Sequence, residues 1–396
     1  MDLKERVQKR VDDIADGAWD MALDMHKNPE LGHQEHRAAE LLSSALQSEG
    51  FQVQRQVAGM ETSFYSEYRF GEGAGPKVAV LAEYDALPGM GHACGHNIIG
   101  AAAVGAGIAL KKAISEADTD LSGTIVVLGC PAEEGAVDGA GGKVDLVEHG
   151  YLDDVDCAMM IHPSTKNISR SSSLAREALE ISYHGKSSHA AATPEKGKNA
   201  LDAAILTFNN WNALRQHVRD DVRIHGVITE GGQAPNIVPD FAQIRMYARS
   251  QDSDYLQEVV EKVKDCARGA ATAAGCEVAF RPTAKRYANL APNEMLADAY
   301  VENFEILGEP IDEQTTKGSG STDMGNVSQV TPSIHPYVAI APDWVAGHST
   351  EMEEAAASEE GRKGMTLGAK AMAMTAIDVL TGESFRKNMK DEFCSE

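Results

Sequence analysis

"KVAVLAEYDALPGMGHACGHNIIGAAAVGAGIAL", residues 77–110, runs from an apolar segment through a turn-rich loop into a second segment of small apolar residues. "KVAVLA" is continuously apolar rather than alternating, the pattern of a strand covered on both faces. "NIIGAAAVGAGIAL" (97–110) is too short and too rich in Gly and Ala to span a bilayer, and reads as a helix buried against the sheet. The loop between them holds His92, Cys94 and His96 within five positions. It could be a metal site, a catalytic thiol or a glycine-rich phosphate loop.

The same alternation recurs outward from this segment. "GTIVVLGCPAE" and "VDCAMMIHP" read as further buried strands, with a helical pattern in "GGKVDLVEHGYL". The class is therefore α/β, a mostly parallel sheet flanked by helices. Near residue 175 the character changes. "REALEISYHG", "NALDAAILTFNNWNALRQHV", "RIHGVITEG", "FAQIRMYARS", "SDYLQEVVEKVKDCARGAATAAG" and "CEVAFRPTAK" follow as β, α, β, β, α, β, a ferredoxin-like α+β unit. The αβ style returns after about residue 290, with a strand in "SIHPYVAI" and a long helix expected over 351–381. The expected organisation is a catalytic domain, 1–174 and 290–396, interrupted by an inserted domain, 175–289.

Length and charge narrow the function. A chain of 396 residues exceeds one ordinary core. With 36 basic against 60 acidic residues, the net charge of −24 disfavours nucleic acid and anionic membrane as partners, leaving a small-molecule substrate as the expectation. "MDLKERVQKRVDD" has no apolar core, so no secretory signal is expected. Six scattered cysteines form no disulfide framework and suit a reducing cytoplasm.

The reactive residues cluster by topology. Cys94 and His96 follow one strand, Glu133 and Glu134 the next, and His162 ends the third; His348 lies between the last strand and the final helix. Ligands of open α/β sheets bind at the carboxyl ends of strands, so these loops converge. A lone strand-end histidine is usually structural and an acidic pair usually solvated; the convergence is what argues for a site. Thiolate, imidazole and carboxylate together suit Zn²⁺ or Mn²⁺. Cys94, His96, Glu134, His162 and His348 are too many for one catalytic zinc, and suit two divalent ions sharing a bridging ligand and a bridging water or hydroxide. Glu133, beside a ligand but pointing elsewhere, is then the general base. Two rivals are a nucleotide-binding oxidoreductase, using Gly89, Gly91 and Gly95, and a non-catalytic binding protein. Pro88 and the His/Cys side chains crowd a pyrophosphate loop, and binding alone needs no base.

The motifs "HKNPELGHQE" (26–35), "AEYDALPGMGHACGHN" (82–97), "CPAEEG" (130–135), "GKSSHAAATPEKGKNALDA" (185–203), "APNIVPD" (234–240), "GSTDMGNVS" (320–328) and "GHSTE" (347–351) span nearly the whole chain. In this order they resemble the aminoacylase and carboxypeptidase family of co-catalytic metallohydrolases, peptidase family M20. The similarity is to its cysteine-containing amidohydrolase branch, in the dipeptidase and aminobenzoyl-glutamate hydrolase subgroup. That resemblance implies hydrolysis of a small N-acyl amino acid or dipeptide, an inserted lid that also dimerises, Cys94 as the bridging ligand and Glu133 as base. It implies that His189 reaches the substrate carbonyl; from the residues alone His189 reads as a surface loop histidine. Most of the branch reads "CGHD", whereas this chain has Asn97. Asp85 either orients a metal-bound histidine or stabilises its turn. Asn236 and Arg249 flank a strand of the insertion, and an arginine there could pair a substrate carboxylate. His92 reads as structural. His26, His33 and His36 resemble the family's first helix and loop, and "HQEH" has the wrong spacing for a zincin.

Overall fold

The computed structural model describes residues 2–312 and 320–395. It packs as two compact units. One runs to Ser172 and resumes at Leu290 and again at Asp323; the other is Ser173–Asn289 with residues 320–322.

The first unit contains helices α1 (Leu3–Lys27) and α2 (His36–Ser48), strands β1 (Gln52–Arg55), β2 (Phe64–Phe70) and β3 (Lys77–Ala82), helix α3 (His96–Ser115), strand β4 (Gly123–Gly129), helix α4 (Gly142–Glu148), and strands β5 (Cys157–Met159) and β6 (His162–Ser164). The second unit supplies β7 (Ala175–His184), α5 (Ala200–Leu214), β8 (Arg223–Glu230), β9 (Phe241–Ser250), α6 (Ser253–Ala274) and β10 (Glu277–Pro282). The first unit resumes with α7 (Glu294–Ile306), α8 (Met324–Ser328), β11 (Ser333–Ile334), β12 (Tyr337–Ala339), α9 (Thr350–Ala355), α10 (Glu359–Thr381) and α11 (Glu383–Phe393).

The main sheet has the order β1-β2-β4-β3-β5-β11. β4, β3, β5 and β11 are parallel, while β1 and β2 add antiparallel edge strands. Alternation along β3 sends Val78, Val80 and Ala82 into the core shared with α1, α3 and α10, and Ala79 and Leu81 into a second core with Leu146 of α4 and Met324 and Val327 of α8. Both faces are thus covered, which explains the unbroken apolar sequence of the central strands.

Small residues let α3 approach this sheet closely: a Cβ on Gly107 would lie 2.5 Å from Val127 Cγ2. α3 is 20 residues long, His96–Ser115. Among the described residues it is one helix long and apolar enough to cross a membrane, but 83% of its apolar window is buried inside the fold.

Two expectations need correction. "VDCAMMIHP" and "SIHPYVAI" are not single strands. Each breaks, β5 from β6 and β11 from β12, and β6 and β12 form a separate two-stranded parallel pair. His162 therefore begins β6 instead of ending the third strand. The long C-terminal helix is two, because Ser358 caps a fresh start at α10 by accepting from Gly361 N. Finally, α11 follows without having been anticipated.

In the second unit β10-β7-β9-β8 form an antiparallel sheet, with α5 and α6 over one face.

Candidate metal centre

Each reactive loop is held by backbone geometry. Gly95 caps α3 in the left-handed region (φ 75°), and a Cβ there would lie 2.7 Å from Pro163 Cγ. That close approach sets the Cys94–His96 loop against β6. Gly95 thus has a packing reason that owes nothing to a pyrophosphate, and the dinucleotide reading is not favoured. Ala132 also sits at positive φ (55°) and turns the chain before Glu133. Its N–H donates to Glu35 Oε1 (2.8 Å), and Thr62 Oγ1 donates to Glu35 Oε2 (2.8 Å). His348 lies at φ 57°, and its N–H donates to the carbonyl of Ala93, next to Cys94 (3.2 Å).

These loops bring the five proposed ligands together. Ligand atoms of Cys94, His96 and His162 lie within 4.8 Å of one another, as do those of Cys94, Glu134 and His348, and those of His96, Glu133 and Glu134. Cys94 is shared by the first two groups. Cys94 Sγ is 3.4 Å from His162 Nε2, and His348 Nε2 is 3.6 Å from Glu134 Oε1.

The donor set fits divalent ions. His162 Nδ1 is engaged by the Pro163 carbonyl (2.7 Å) and His96 Nδ1 by Asp85 Oδ1 (2.8 Å), so both rings turn Nε2 toward the cluster. His96 Nε2 and Glu134 Oε1 are buried without a hydrogen-bond partner. Buried polar atoms without partners are costly, and a cation satisfies both. Asp85 also accepts from Glu134 N (2.9 Å), so one carboxylate orients a histidine and fixes the turn carrying a carboxylate ligand.

Protein charges alone perturb the site strongly. Burial pushes the Cys94 thiol up, and Glu134 adds to the effect. Burial lowers His162 to about 4, keeping the imidazole neutral as a metal ligand must be. Glu133 is held well above the usual carboxylate range by burial and by Glu83, Glu134 and Asp323. A dication beside these groups acts in the opposite direction, favouring thiolate and carboxylate.

Glu133 does not simply point elsewhere. It groups with His96 and Glu134, and also with Glu83 and Asp323. Behind it, the fully buried Lys143 Nζ pairs with Glu83 and with Asp323 Oδ1 (2.5 Å). Sequence reading missed Glu83, Lys143 and Asp323. Glu83 and Asp323 fall inside quoted motifs, but nothing in the sequence marks Lys143 as buried. It also missed Glu35 and His335. The His335 ring lies 5.5 Å from that of His162, in the break between β11 and β12.

Asn97 has its own explanation. Its Nδ2 donates to the carbonyls of Ala22 (3.2 Å) and Ala356 (3.0 Å), which an aspartate could not do. His92 is buried, stacks on His26 at 6.4 Å and is lowered to about 3 by burial, then by His96 and His26.

The chain shares this architecture with known proteins. The family model for peptidase family M20/M25/M40 matches residues 79–374. The chain belongs to peptidase family M20/M25/M40. It is 40% identical to the mouse Xaa-Arg dipeptidase over 99% of this chain and 92% of that one. It is 34% identical to one of the subunits of the Escherichia coli p-aminobenzoyl-glutamate hydrolase over 78% of this chain and 65% of the other. The fold matches a solved Bacillus subtilis dinuclear metal-binding peptidase of the M20 family with a TM-score of 0.66 at 21% identity, covering 93% of this chain and 99% of that one. As an M20/M25/M40 peptidase, this protein is a metal-dependent hydrolase of amide bonds.

The remaining expected site residues belong to the second unit. His189 is exposed and pairs by an isolated bridge with Ile237; its Nδ1 accepts from Ala191 N and Ala192 N (both 3.2 Å). The neutral ring therefore carries its proton on Nε2, free to donate. Asn236 accepts through its backbone carbonyl from Ala190 N (3.0 Å). Arg249 is half-buried on β9, 5.7 Å from the Tyr247 ring, with its pKa lowered by burial and then by Arg176.

Proposed function

We propose that this chain is a two-metal dipeptidase or N-acyl amino acid hydrolase. Cys94, His96, Glu134, His162 and His348 would hold the ions, and Zn²⁺ or Mn²⁺ would be the metal. The observation that carries the reading is the pair of buried ligand atoms without a hydrogen-bond partner, His96 Nε2 and Glu134 Oε1, set in a cluster with three further metal-ligating side chains. Bound dications supply carbonyl polarisation and a water of lowered pKa.

The chain's own residues do the rest. Glu133 accepts the water's proton on its carboxylate and returns it to the leaving nitrogen. Asp85 holds His96 and the Glu134 turn in place. His189 offers Nε2–H to the carbonyl oxygen as negative charge develops there, and Asn236 and Arg249 contact the polar ends of the substrate. The names of the relatives favour a small substrate with an amide next to a free carboxylate, a dipeptide or an acyl-glutamate. The second unit acts as lid and as the surface of a homodimer, and the free thiols suit a reducing cytoplasm.

The test counts metal and measures turnover together. The purified chain should hold about two dications, and should cleave dipeptides with basic C-terminal residues, aminobenzoyl-glutamate or N-acetyl amino acids when Zn²⁺ or Mn²⁺ is supplied. Cys94→Ala should lose metal along with activity. A fully metallated but inactive Cys94→Ala protein would instead make Cys94 a nucleophile and remove it from the ligand set.

A further inference from the structure

The break between β11 and β12 holds a histidine that the proposed mechanism leaves unused. His335 follows Ile334, the end of β11, and stands before Tyr337, the start of β12. Its backbone is fixed on both sides. Met160 N donates to Ile334 O (3.4 Å) and His162 N to Pro336 O (2.8 Å), so this break runs beside the one between β5 and β6. The His335 carbonyl itself accepts from Ser171 Oγ. The imidazole stands edge to face against two rings, His162 at 5.5 Å and 87° and Tyr337 at 5.9 Å and 83°. His162 in turn meets His96 at 6.1 Å and 86°. This series of rings ends in the group of Cys94, His96 and His162.

Although the ring is closely packed, neither of its nitrogens is satisfied. His335 is 2% exposed, and Nδ1 and Nε2 are both buried without a hydrogen-bond partner. In every protonation state of an imidazole at least one nitrogen is an N–H donor, and a buried donor left unmade is costly. A phenyl ring would pack between His162 and Tyr337 without that cost. Two observations define the missing partner. Among the described residues, His335 joins none of the groups whose ligand atoms lie within 4.8 Å of one another, so it is a neighbour of the metal ligands and not one of them. Burial lowers its pKa well below the ordinary value, and His162, Lys143 and His96 lower it further. Such surroundings repel a cation and favour an oxygen acceptor. One hydrogen bond, about 3 Å long, connects a ring beside His162 to an atom held among the ligands.

We propose that His335 is a further substrate-contacting residue, whose ring N–H donates to the carbonyl oxygen that the scissile amide presents to the group of Cys94, His96 and His162. The inference rests on the two-metal reading above. A donor held in place by Ser171, His162 and Tyr337 strengthens as negative charge gathers on that oxygen, and needs no reorganisation to do so.

Acetohydroxamate, a small ligand that offers a carbonyl oxygen to divalent ions, is the probe. Its affinity for the full-length, metal-loaded protein is measured by calorimetry, and metal per chain is counted on the same samples. His335→Phe keeps a ring between His162 and Tyr337 and removes both nitrogens. It should hold as much metal as wild type and bind acetohydroxamate about tenfold or more weakly, the loss of one hydrogen bond to a charged group. His335→Gln, which restores an N–H, should recover part of that loss, whereas His335→Met, of similar shape without a donor, should not. This second pair carries the comparison if His335→Phe does not fold. The proposal is overturned if metal-replete variants lacking the donor bind the probe within about twofold of wild type, since a water would then satisfy the ring. It is equally overturned if those variants lose metal, which would make His335 a support for His162. A wild-type chain that takes up no dication removes the two-metal reading itself, and this proposal with it.

Discussion

Asp85→Asn separates the orientation of the metal ligands from the ligands themselves. Asp85 is 1% exposed and uses both oxygens: Oδ1 faces His96 Nδ1 at 2.8 Å, and Oδ2 accepts from Glu134 N at 2.9 Å. An asparagine fills the same volume but has one acceptor. If its oxygen stays on His96, its NH₂ faces the Glu134 N–H, donor against donor, and the turn carrying Glu134 must shift. If it flips, the NH₂ faces His96 Nδ1, which must then become the acceptor. The ring proton moves to Nε2, the atom required to bind metal. Losing one charge-assisted hydrogen bond is worth about 2 kcal/mol, or about 30-fold in a binding constant, within the usual range for partners of metal-bound histidines. Competition against a chelator of known affinity measures this, with metal per chain counted by elemental analysis. A dissociation constant within about threefold of wild type for both ions would refute the argument that Asp85 orders the site.

Three further outcomes follow from other contacts. Glu133→Gln should keep both metals and lose at least about 10²-fold in kcat, because an amide cannot take the water's proton; near-normal kcat in a metal-replete protein would remove Glu133 from the mechanism. Asn97→Asp turns two buried donor contacts into carboxylate–carbonyl repulsion, and chemical denaturation should show a loss of about 2–4 kcal/mol. Glu35 is raised to about 7 by burial and then by Asp85, so its contribution to stability is fully present below its unfolded pKa near 4.5 and is lost as pH rises through about 7, roughly 3 kcal/mol in all. Glu35→Gln should flatten that limb, so the Tm of the variant relative to wild type should rise with pH across this window; parallel curves would show that Glu35 does not titrate there.

The parts of this protein legible in its sequence are those where residue type alone carries the message. A strand covered on both faces must be apolar throughout, so β3 and β4 announce themselves in "KVAVLA" and "GTIVVLG". Thiol, imidazole and carboxylate groups at successive strand ends have few uses in common other than metal, so the cluster at Cys94, His96, Glu134, His162 and His348 could be assembled before any coordinates. Strand breaks are different. Nothing local distinguishes "MMIHP" from a continuous strand, and β5 stops at Met159 because its neighbour β11 stops with it at Ile334. Both chains then re-pair as β6 and β12, placing His162 opposite Tyr337.

Lys143 shows the same limit from the side of electrostatics. In "GGKVDLVEHG" it is one lysine on an amphipathic helix, and sequence alone would assign it to solvent. Burial alone would lower its pKa, but Asp323 and Glu83 outweigh that and hold the ammonium charged, with its pKa raised. Asp323 arrives at the N-terminus of α8, 180 residues further along the chain, where its Oδ2 also accepts from Lys143 N (2.9 Å). The ammonium therefore draws Glu83 and Asp323 together beside Glu133, in a group that meets His96 through Glu83 Oε2 (3.4 Å). The fixed cation–carboxylate network and the metal-ligating cluster therefore both restrict the position of Glu133. That constraint comes from three chain segments meeting, and no window of the sequence contains it.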